Sequence, residues 1–377
     1  MNLGLLRGKR SFSLTGSAKT TVLAETVKST AGGSLRVVAT TEGPPDQEIT
    51  IRRLLSSVPD QRGTVAVTLP LNYFQIITVE IPPMPEEAIR RALPYHLAKT
   101  LAQPLPEFIF DWQLTRRHSD RLEVTVYLFP ASSYQMLRRE LAQKQLELKY
   151  LEPDVFSAFA YLEMTGRLTD SKAILCTLIW PGYSSHAIFN QGRVVLVRSI
   201  PFNQPQGLFQ GGPDTSDNLQ GLKTSVQTDF HEATAGDPNR QEGEDSGILF
   251  NDPHQGILAD FSLSTREDKG LQLQPEPTSP PHKEPAHDIS LTAEVSWPDY
   301  INNLGLEIIR TRDYYGLILK GSAIDQLFVG GGETFLGELS RVTEATMSMT
   351  PRPLQERRVL DGCPAPMETL CLGAGAR

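Results

Sequence analysis

A long segment in the second half of the chain limits what this sequence can fold into. From Phe202 to about Asp288 the chain is rich in Gly, Pro, Gln, Asp and Ser, and no apolar periodicity lasts. Such a segment buries too little apolar surface to offset the entropy lost on ordering. We therefore predict a disordered linker over residues 202–288. The alternative is that two short apolar runs within it, residues 247–250 and 256–263, order on binding a partner.

Composition excludes several classes of function for the 377 residues. The formal net charge of −8 predicts no nucleic-acid partner. Three cysteines without CxxC spacing indicate neither a disulfide framework nor a zinc site. Because no run of about 18 apolar residues occurs, we expect no membrane-spanning helix and a cytoplasmic protein.

Periodicity predicts a β-rich opening and then an α/β insertion. Strands are expected at 21–27 and 34–40, a helix at 51–57, and two further strands before residue 82. An acidic first turn then begins a helix in which Ile89, Leu93, Leu97 and Leu101 form one apolar stripe. Pro94 interrupts this stripe and is expected to kink the helix. Two strands, a helix and a short strand complete the insertion.

The remaining core-forming sequence lies on both sides of the linker. A helix and three strands precede it, and the three strands end near residue 201. After it come an amphipathic helix at 295–316, a strand that runs into Gly330, Gly331 and Gly332, and two further helices. This order predicts a layered α/β domain that the linker interrupts.

Two motifs that are typical of catalytic sites are incomplete in this sequence. The N-terminal run SLTGSAKTTVL is similar to a phosphate-binding loop, but Ser13 and Ala18 stand where that motif requires glycine, and a strand pattern follows instead of a helix. Ser184, Ser185 and His186 with Asp111 could be read as a hydrolase site. No G-x-S-x-G motif accompanies them, and adjacent strand residues point to opposite faces, so a polar strand start is the simpler interpretation.

Three stretches carry a family resemblance. The first holds Pro82, Met84, Pro85, Tyr95, His96, Pro104, Leu105, Asp111, Trp112 and Gln113. The others are NQGRVVLVRSIP and the pair LEIIRTRDYY and LFVGGGETFLGEL. In this order they resemble the type IV pilus assembly protein PilM, a member of the actin-like ATPase superfamily related to FtsA and to the cytoplasmic part of GspL.

The resemblance implies an actin-like (RNase H-like) two-lobed α/β fold with an inserted α/β subdomain. Residues 1–81 and 151–201 would form the first lobe, and residues 82–150 the inserted subdomain. The linker at 202–288 would replace the helical subdomain that relatives carry there. Residues 289–377 would form a reduced second lobe.

The resemblance also implies a vestigial nucleotide cleft. Gly16 and Ser17 match the first phosphate element, Gly182 matches the second, and Gly330, Gly331 and Gly332 match the adenosine side. Leu14 and Trp180 replace the two metal-organising aspartates, and neither side chain can bind Mg²⁺. We therefore expect no metal, no catalytic residue and no bound cofactor, with ATP as the single candidate. In the alternative, an active ATPase, Asp154 or Asp325 would supply the metal carboxylate.

The implied function is a non-catalytic adaptor of a type IV pilus or type II secretion inner-membrane platform. Its partner would be the cytoplasmic tail of a PilN-type membrane protein, together with other platform proteins that hold it at the membrane. The tail would dock between the first lobe and the inserted subdomain. The candidate lining residues are Tyr95, Leu97, Leu101 and Trp112, each of which could equally be a core residue.

Overall fold

The computed structural model describes residues 10–29, 32–59, 62–168, 173–203, 295–331, 333–355 and 365–376. The predicted linker at 202–288 lies outside the described residues except for Phe202 and Asn203, and so do its two apolar runs.

The strands and helices follow the order that periodicity predicts, with an additional first strand and an additional two-residue strand before the last helix. The described strands are β1 (Arg10–Gly16), β2 (Thr20–Ser29), β3 (Gly32–Glu42), β4 (Gly63–Leu69), β5 (Gln75–Ile81), β6 (Phe108–Arg117), β7 (Leu122–Pro130), β8 (Leu146–Pro153), β9 (Ala173–Trp180), β10 (Tyr183–Asn190), β11 (Arg193–Pro201), β12 (Ile324–Gly330) and β13 (Arg352–Pro353). The described helices are α1 (Glu48–Ser56), α2 (Glu86–Thr100), α3 (Ala131–Gln143), α4 (Asp154–Met164), α5 (Trp297–Asp313), α6 (Glu333–Met347) and α7 (Ala365–Ala376).

Two five-stranded sheets of the described residues share one topology. The first has the order β3-β2-β1-β4-β8 and the second the order β11-β10-β9-β12-β13. In each sheet an antiparallel three-stranded meander is followed by two strands that run parallel to its first strand. The second half of the described chain therefore repeats the architecture of the first.

Strand β9 shows why the core of the second sheet forms as it does. All its residues are buried, as expected for a central strand that is covered on both faces. Ile174, Cys176, Leu178 and Trp180 pack toward α4 and α7, whereas Leu175 and Ile179 pack toward α5. This alternation follows from the two-residue period of a strand.

Helices α4 and α7 lie between the two sheets. Residues of α4 and α7 share one apolar cluster with β9 and β10 of the second sheet and with Val22 of the first. A Cβ atom at Gly373 of α7 would lie 1.9 Å from the carbonyl oxygen of Ser157 on α4. Glycine is needed at this position because the two helix backbones approach so closely.

A smaller sheet of three described strands, β5-β7-β6, carries α2 on one face. The predicted stripe is confirmed, since Ile89, Leu93 and Leu97 are buried against this sheet and Leu101, which follows the helix, is partly buried against the same core. Helix α2 continues through Pro94 without ending there.

The structure places the domain boundaries differently from the sequence prediction. Strands β9–β11, expected in the first lobe as part of 151–201, pair with β12 in the second sheet. At the ends of the expected insertion 82–150, β5 joins the small sheet and β8 joins the first sheet, while α3 packs on the core of the first sheet. Short apolar strands carry no local signal for their partner, so tertiary packing decides it. No helix of the described residues is long and apolar enough to cross a membrane.

Candidate functional site

The residues expected to form a nucleotide cleft lie at the carboxyl ends of strands in both large sheets. Gly16 ends β1, and Ser17 begins the turn into β2. Gly182 lies in the turn between β9 and β10, and Gly330 ends the neighbouring β12, followed by Gly331. Gly332 lies outside the described residues.

Protein groups occupy the space beside most of these glycines. A Cβ atom at Gly16 would lie 2.9 Å from Pro45 Cγ, and one at Gly331 would lie 2.8 Å from Ile179 Cβ. One at Gly330 would meet Leu178 and Leu354. Gly182 differs, since open space lies beside it and its φ of +87° serves a tight turn. Gly331 combines the close contact with a positive φ of +155°. Three of the four positions thus use glycine for close packing within the protein.

The hydrogen-bonding groups of Ser17 serve the β1–β2 hairpin. Its backbone N–H donates to the carbonyl oxygen of Thr20 over 2.8 Å. Its buried hydroxyl oxygen lies 3.2 Å from the amide nitrogen of Lys19, which donates to it, and accepts a second bond from Thr20. A phosphate at this turn would compete with these bonds.

Apolar side chains occupy the two positions at which the family resemblance implies a metal-organising aspartate. Leu14 is fully buried in the core of the first sheet. Trp180 is buried and stacks on Tyr183, with the ring centroids 6.3 Å apart. The Tyr183 hydroxyl is buried and makes no hydrogen bond to the described residues.

Asp154, at the start of α4, is a carboxylate in direct contact with Trp180. It is fully buried and accepts hydrogen bonds from four donors: Trp180 Nε1 at 2.8 Å, Ser185 Oγ at 2.7 Å, and the backbone N–H groups of Val155 and Leu71. A carboxylate has about four lone-pair sites, so protein donors already use its accepting capacity. Burial raises the pKa of the Asp154 carboxyl to about 7, although the four donors act in the opposite direction.

The other carboxylate considered as a metal ligand is in the wrong place. Asp325 is exposed near the start of β12, whereas Gly330 ends that strand. No group of three or more His, Cys, Asp or Glu side chains within the described ranges could hold a metal ion. The described residues at the cleft therefore do not fit a magnesium-bound nucleotide.

The polar residues of β10 form buried internal pairs. Ser184 and His186 share one face of the strand, and Ser184 Oγ lies 2.6 Å from His186 Nε2. Thr177 Oγ1 lies 3.0 Å from His186 Nδ1. Ser185 points to the opposite face and binds Asp154. Because these side chains are fully buried and Asp111 lies on β6, they offer a substrate no access.

A groove runs between the small sheet and the first sheet, and we call it the β6 groove. It lies between residues 109–113 of β6 and residues 151–153 of β8 with Phe156 of α4, and its volume is about 90 Å³. Its lining is largely apolar and aromatic. The aromatic side chains that line it are Phe74, Phe110, Trp112, Tyr127, Phe129 and Phe156.

The β6 groove contains one of the four predicted partner-binding residues. Trp112 lines it while also packing against the core under α2. Leu97 is fully buried in that core, and Leu101 packs at its margin. Tyr95 is 75% exposed on the outer side of α2. The structure therefore brings Leu97, Leu101 and Trp112 together in the core under α2, and it leaves Tyr95 apart from them on the surface.

Sequence reasoning missed most of the groove lining. Ile109, Phe129 and Phe156 were absent from the predicted set, although a two-residue alternation along β6 would have separated residues 109, 111 and 113 from residues 110 and 112. The contribution of β8 and α4 has no local signal, because those residues follow β6 by about forty positions in the sequence.

The chain has the fold of a chain in a solved PilM-PilN complex. A PilM-PilN type IV pilus biogenesis complex matches with a TM-score of 0.56 at 13% identity, over 97% of this chain and 98% of that chain. This likeness shows the fold and confirms the predicted actin-like, two-lobed α/β architecture with its inserted subdomain. No family model and no curated protein sequence matches the chain.

Two further solved structures are similar at lower scores. The cytoplasmic domain of EpsL, an inner membrane component of the Vibrio cholerae type II secretion system, matches with a TM-score of 0.36 at 15% identity, over 51% of this chain and 71% of that chain. The ethanolamine utilization protein EutJ from Carboxydothermus hydrogenoformans matches with a TM-score of 0.38 at 11% identity, over 98% and 90% of the two chains. These two scores carry no argument about function.

Proposed function

We propose that this protein is a non-catalytic, PilM-like adaptor of a type IV pilus or type II secretion platform. It binds the cytoplasmic tail of a PilN-type membrane protein in the β6 groove. Through that tail and other platform proteins it is held at the cytoplasmic face of the inner membrane. The observation that carries the proposal is the β6 groove itself, in a chain whose fold matches that of a PilM-PilN complex along its whole length.

The size and chemistry of the β6 groove suit a peptide better than a small molecule. Its volume of about 90 Å³ is well below the roughly 300 to 1,000 Å³ of ordinary ligand pockets. It follows β6, which is an edge strand among the described residues. An extended peptide can pair its backbone with such an edge and place alternate side chains against aromatic walls.

The geometry of the cleft supports an adaptor more than an ATPase. Trp180 and Leu14 occupy the positions of the metal-organising aspartates, and the acceptor sites of Asp154 are taken by protein donors. An active ATPase would need a different carboxylate near Gly182, and none of the described candidates meets that requirement. We therefore propose that the protein works without nucleotide turnover or a bound cofactor.

The proposal is tested by titrating a fluorescein-labelled PilN-type tail peptide with the full chain and following fluorescence anisotropy. Saturable binding to the wild-type protein is expected. Replacing Phe156 by alanine is expected to weaken binding by about tenfold, because this ring forms one wall of the groove.

A matched aromatic control lies outside the groove lining. Tyr314 is exposed after the end of α5, so Tyr314→Ala is expected to leave the affinity unchanged. A tail that fails to bind, or that binds equally well to Phe156→Ala, would count against the β6 groove as the docking site. Thermal unfolding of each variant shows whether a lost affinity reflects a lost fold.

A further inference from the structure

Asp111 places a carboxylate in the mostly apolar β6 groove. On β6 it lies between Ile109 and Gln113, which share its face, whereas Phe110 and Trp112 pack toward the core under α2. Asp111 is half-buried, and its one side-chain hydrogen bond within the described part of the chain is with the backbone N–H of Trp112, at 2.8 Å.

The charge of Asp111 is only partly compensated by the protein. Arg90 of α2 attracts it at longer range. Burial raises the pKa of the Asp111 carboxyl, while the Trp112 hydrogen bond and Arg90 act in the opposite direction. A carboxylate in apolar surroundings is stabilised when a positively charged hydrogen-bond donor binds it.

The other polar groups of the groove are already engaged. The Gln113 amide donates to the Tyr127 hydroxyl at 2.9 Å and to the Val194 carbonyl at 3.0 Å, which joins β6 to β11. Glu152 is buried and accepts from the Ser157 hydroxyl. Asp111 is therefore the lining group with the most capacity to recognise charge in a bound peptide.

We propose that Asp111 is a specificity-determining residue of the β6 groove, which selects an extended segment that carries an Arg or Lys side chain next to an apolar one. The cationic group pairs with the Asp111 carboxylate, and the apolar side chain packs on Tyr127 and Phe156. This inference rests on the proposed function, because it names the chemistry of the tail that the groove accepts.

A combinatorial peptide library tests the inference without assuming any partner. Random decapeptides are selected on the full wild-type chain, on Asp111→Asn and on Asp120→Asn. The last variant is the matched control, since Asp120 is an exposed carboxylate in the turn that follows β6. The wild-type and Asp120→Asn pools are expected to share a basic residue beside an apolar one, and the Asp111→Asn pool is expected to lose the basic residue.

Binding measurements on the selected peptides add a quantitative readout. Asp111→Asn is expected to lower the affinity for these peptides about tenfold at low salt. Added salt should weaken the wild-type complex more than the variant complex. If the variant folds poorly, replacing the basic residue of the peptide by norleucine tests the same pair on the wild-type protein. Pools that lack a basic residue, that favour Asn or Gln there, or that fail to enrich on the wild-type protein would overturn the inference.

Binding of the PilN-type tail peptide distinguishes a failure of this inference from a failure of the proposed function. If the tail does not bind while basic peptides do, the proposed function fails and the inference stands. If the tail binds in the β6 groove with the same affinity for wild-type protein and Asp111→Asn, the inference fails and the proposed function stands.

Discussion

The indole Nε1 of Trp180 donates a 2.8 Å hydrogen bond to Oδ2 of Asp154. This bond joins the end of β9 to the start of α4, at the position where the family resemblance leads one to expect a metal-organising aspartate. Both side chains are buried, and Asp154 depends on protein donors to offset the cost of burying its carboxylate.

Removing the Trp180 donor is expected to destabilise the fold. Trp180→Phe removes the indole N–H together with one ring, so it leaves a buried carboxylate with one fewer hydrogen bond and a small cavity, which should lower the free energy of unfolding by about 1–3 kcal/mol. Urea denaturation measures this change. Tyr183→Phe is the control, because it removes a neighbouring buried hydroxyl that has no partner among the described residues, and it should change stability by less than about 0.5 kcal/mol. Equal effects of the two variants would contradict the role given to the bond.

Mg-ATP is expected to leave thermal stability unchanged. A ligand present at ten times its dissociation constant would add about 1.4 kcal/mol to the free energy of unfolding, which differential scanning calorimetry resolves. An active actin-like ATPase in the same buffer serves as the positive control. A saturable stabilisation of this protein by Mg-ATP would contradict the proposal that it is an adaptor without a bound nucleotide.

His186 is expected to remain neutral far into the acid range. Burial lowers the pKa of its imidazole to about 3, with a further contribution from Arg198, while the unfolded chain titrates near the ordinary value of about 6.5. Since the folded state binds fewer protons between these values, the His186 contribution to stability is full above pH 6.5 and is lost as the pH falls toward 3. The Cε1 proton shift of His186, followed by NMR, should not move between pH 7 and about pH 4. A shift with a midpoint near 6.5 would show that the side chain is not buried as described.

The glycine beside Ile179 is expected to be required for packing. A Cβ atom at Gly331 would lie 2.8 Å from Ile179 Cβ, and the φ of +155° at Gly331 is one that other residues rarely adopt, so Gly331→Ala should cost about 1–3 kcal/mol. Gly337 of α6 has open space beside it, so Gly337→Ala should stabilise the protein by about 0.5–1 kcal/mol. Urea unfolding of the two variants gives both values. A neutral Gly331→Ala would weaken the packing explanation for this glycine.

Trp112 and Tyr95, two of the predicted partner-binding residues, are expected to behave differently. Trp112 belongs to the lining of the β6 groove while its ring packs against the core under α2, so Trp112→Ala should lower both the affinity for a PilN-type tail and the melting temperature. Tyr95 is exposed on the outer side of α2, so Tyr95→Ala should not alter the affinity. Fluorescence anisotropy compares them, with thermal unfolding to check that each variant is folded. A loss confined to Tyr95→Ala would place the docking surface on the outer side of α2.

The sequence by itself determined the elements whose signal is local. The four-residue spacing of Ile89, Leu93 and Leu97 predicts α2, and the continuous apolar run of β9 predicts a strand buried on both faces. The replacement of aspartate by Leu14 and Trp180 is also visible without a structure. These features depend on the periods of the helix and the strand, which any short stretch of sequence contains.

Only the tertiary structure decided which elements meet. The bond from Trp180 to Asp154 spans 26 positions, and the β6 groove joins β6 to β8 and α4 across the inserted helix α3. The assignment of β9–β11 to the second sheet likewise follows from their pairing with β12, beyond the segment 204–294. Such contacts are fixed by the packing of whole sheets and helices, and apolar strands of similar composition give no local indication of the sheet they will join.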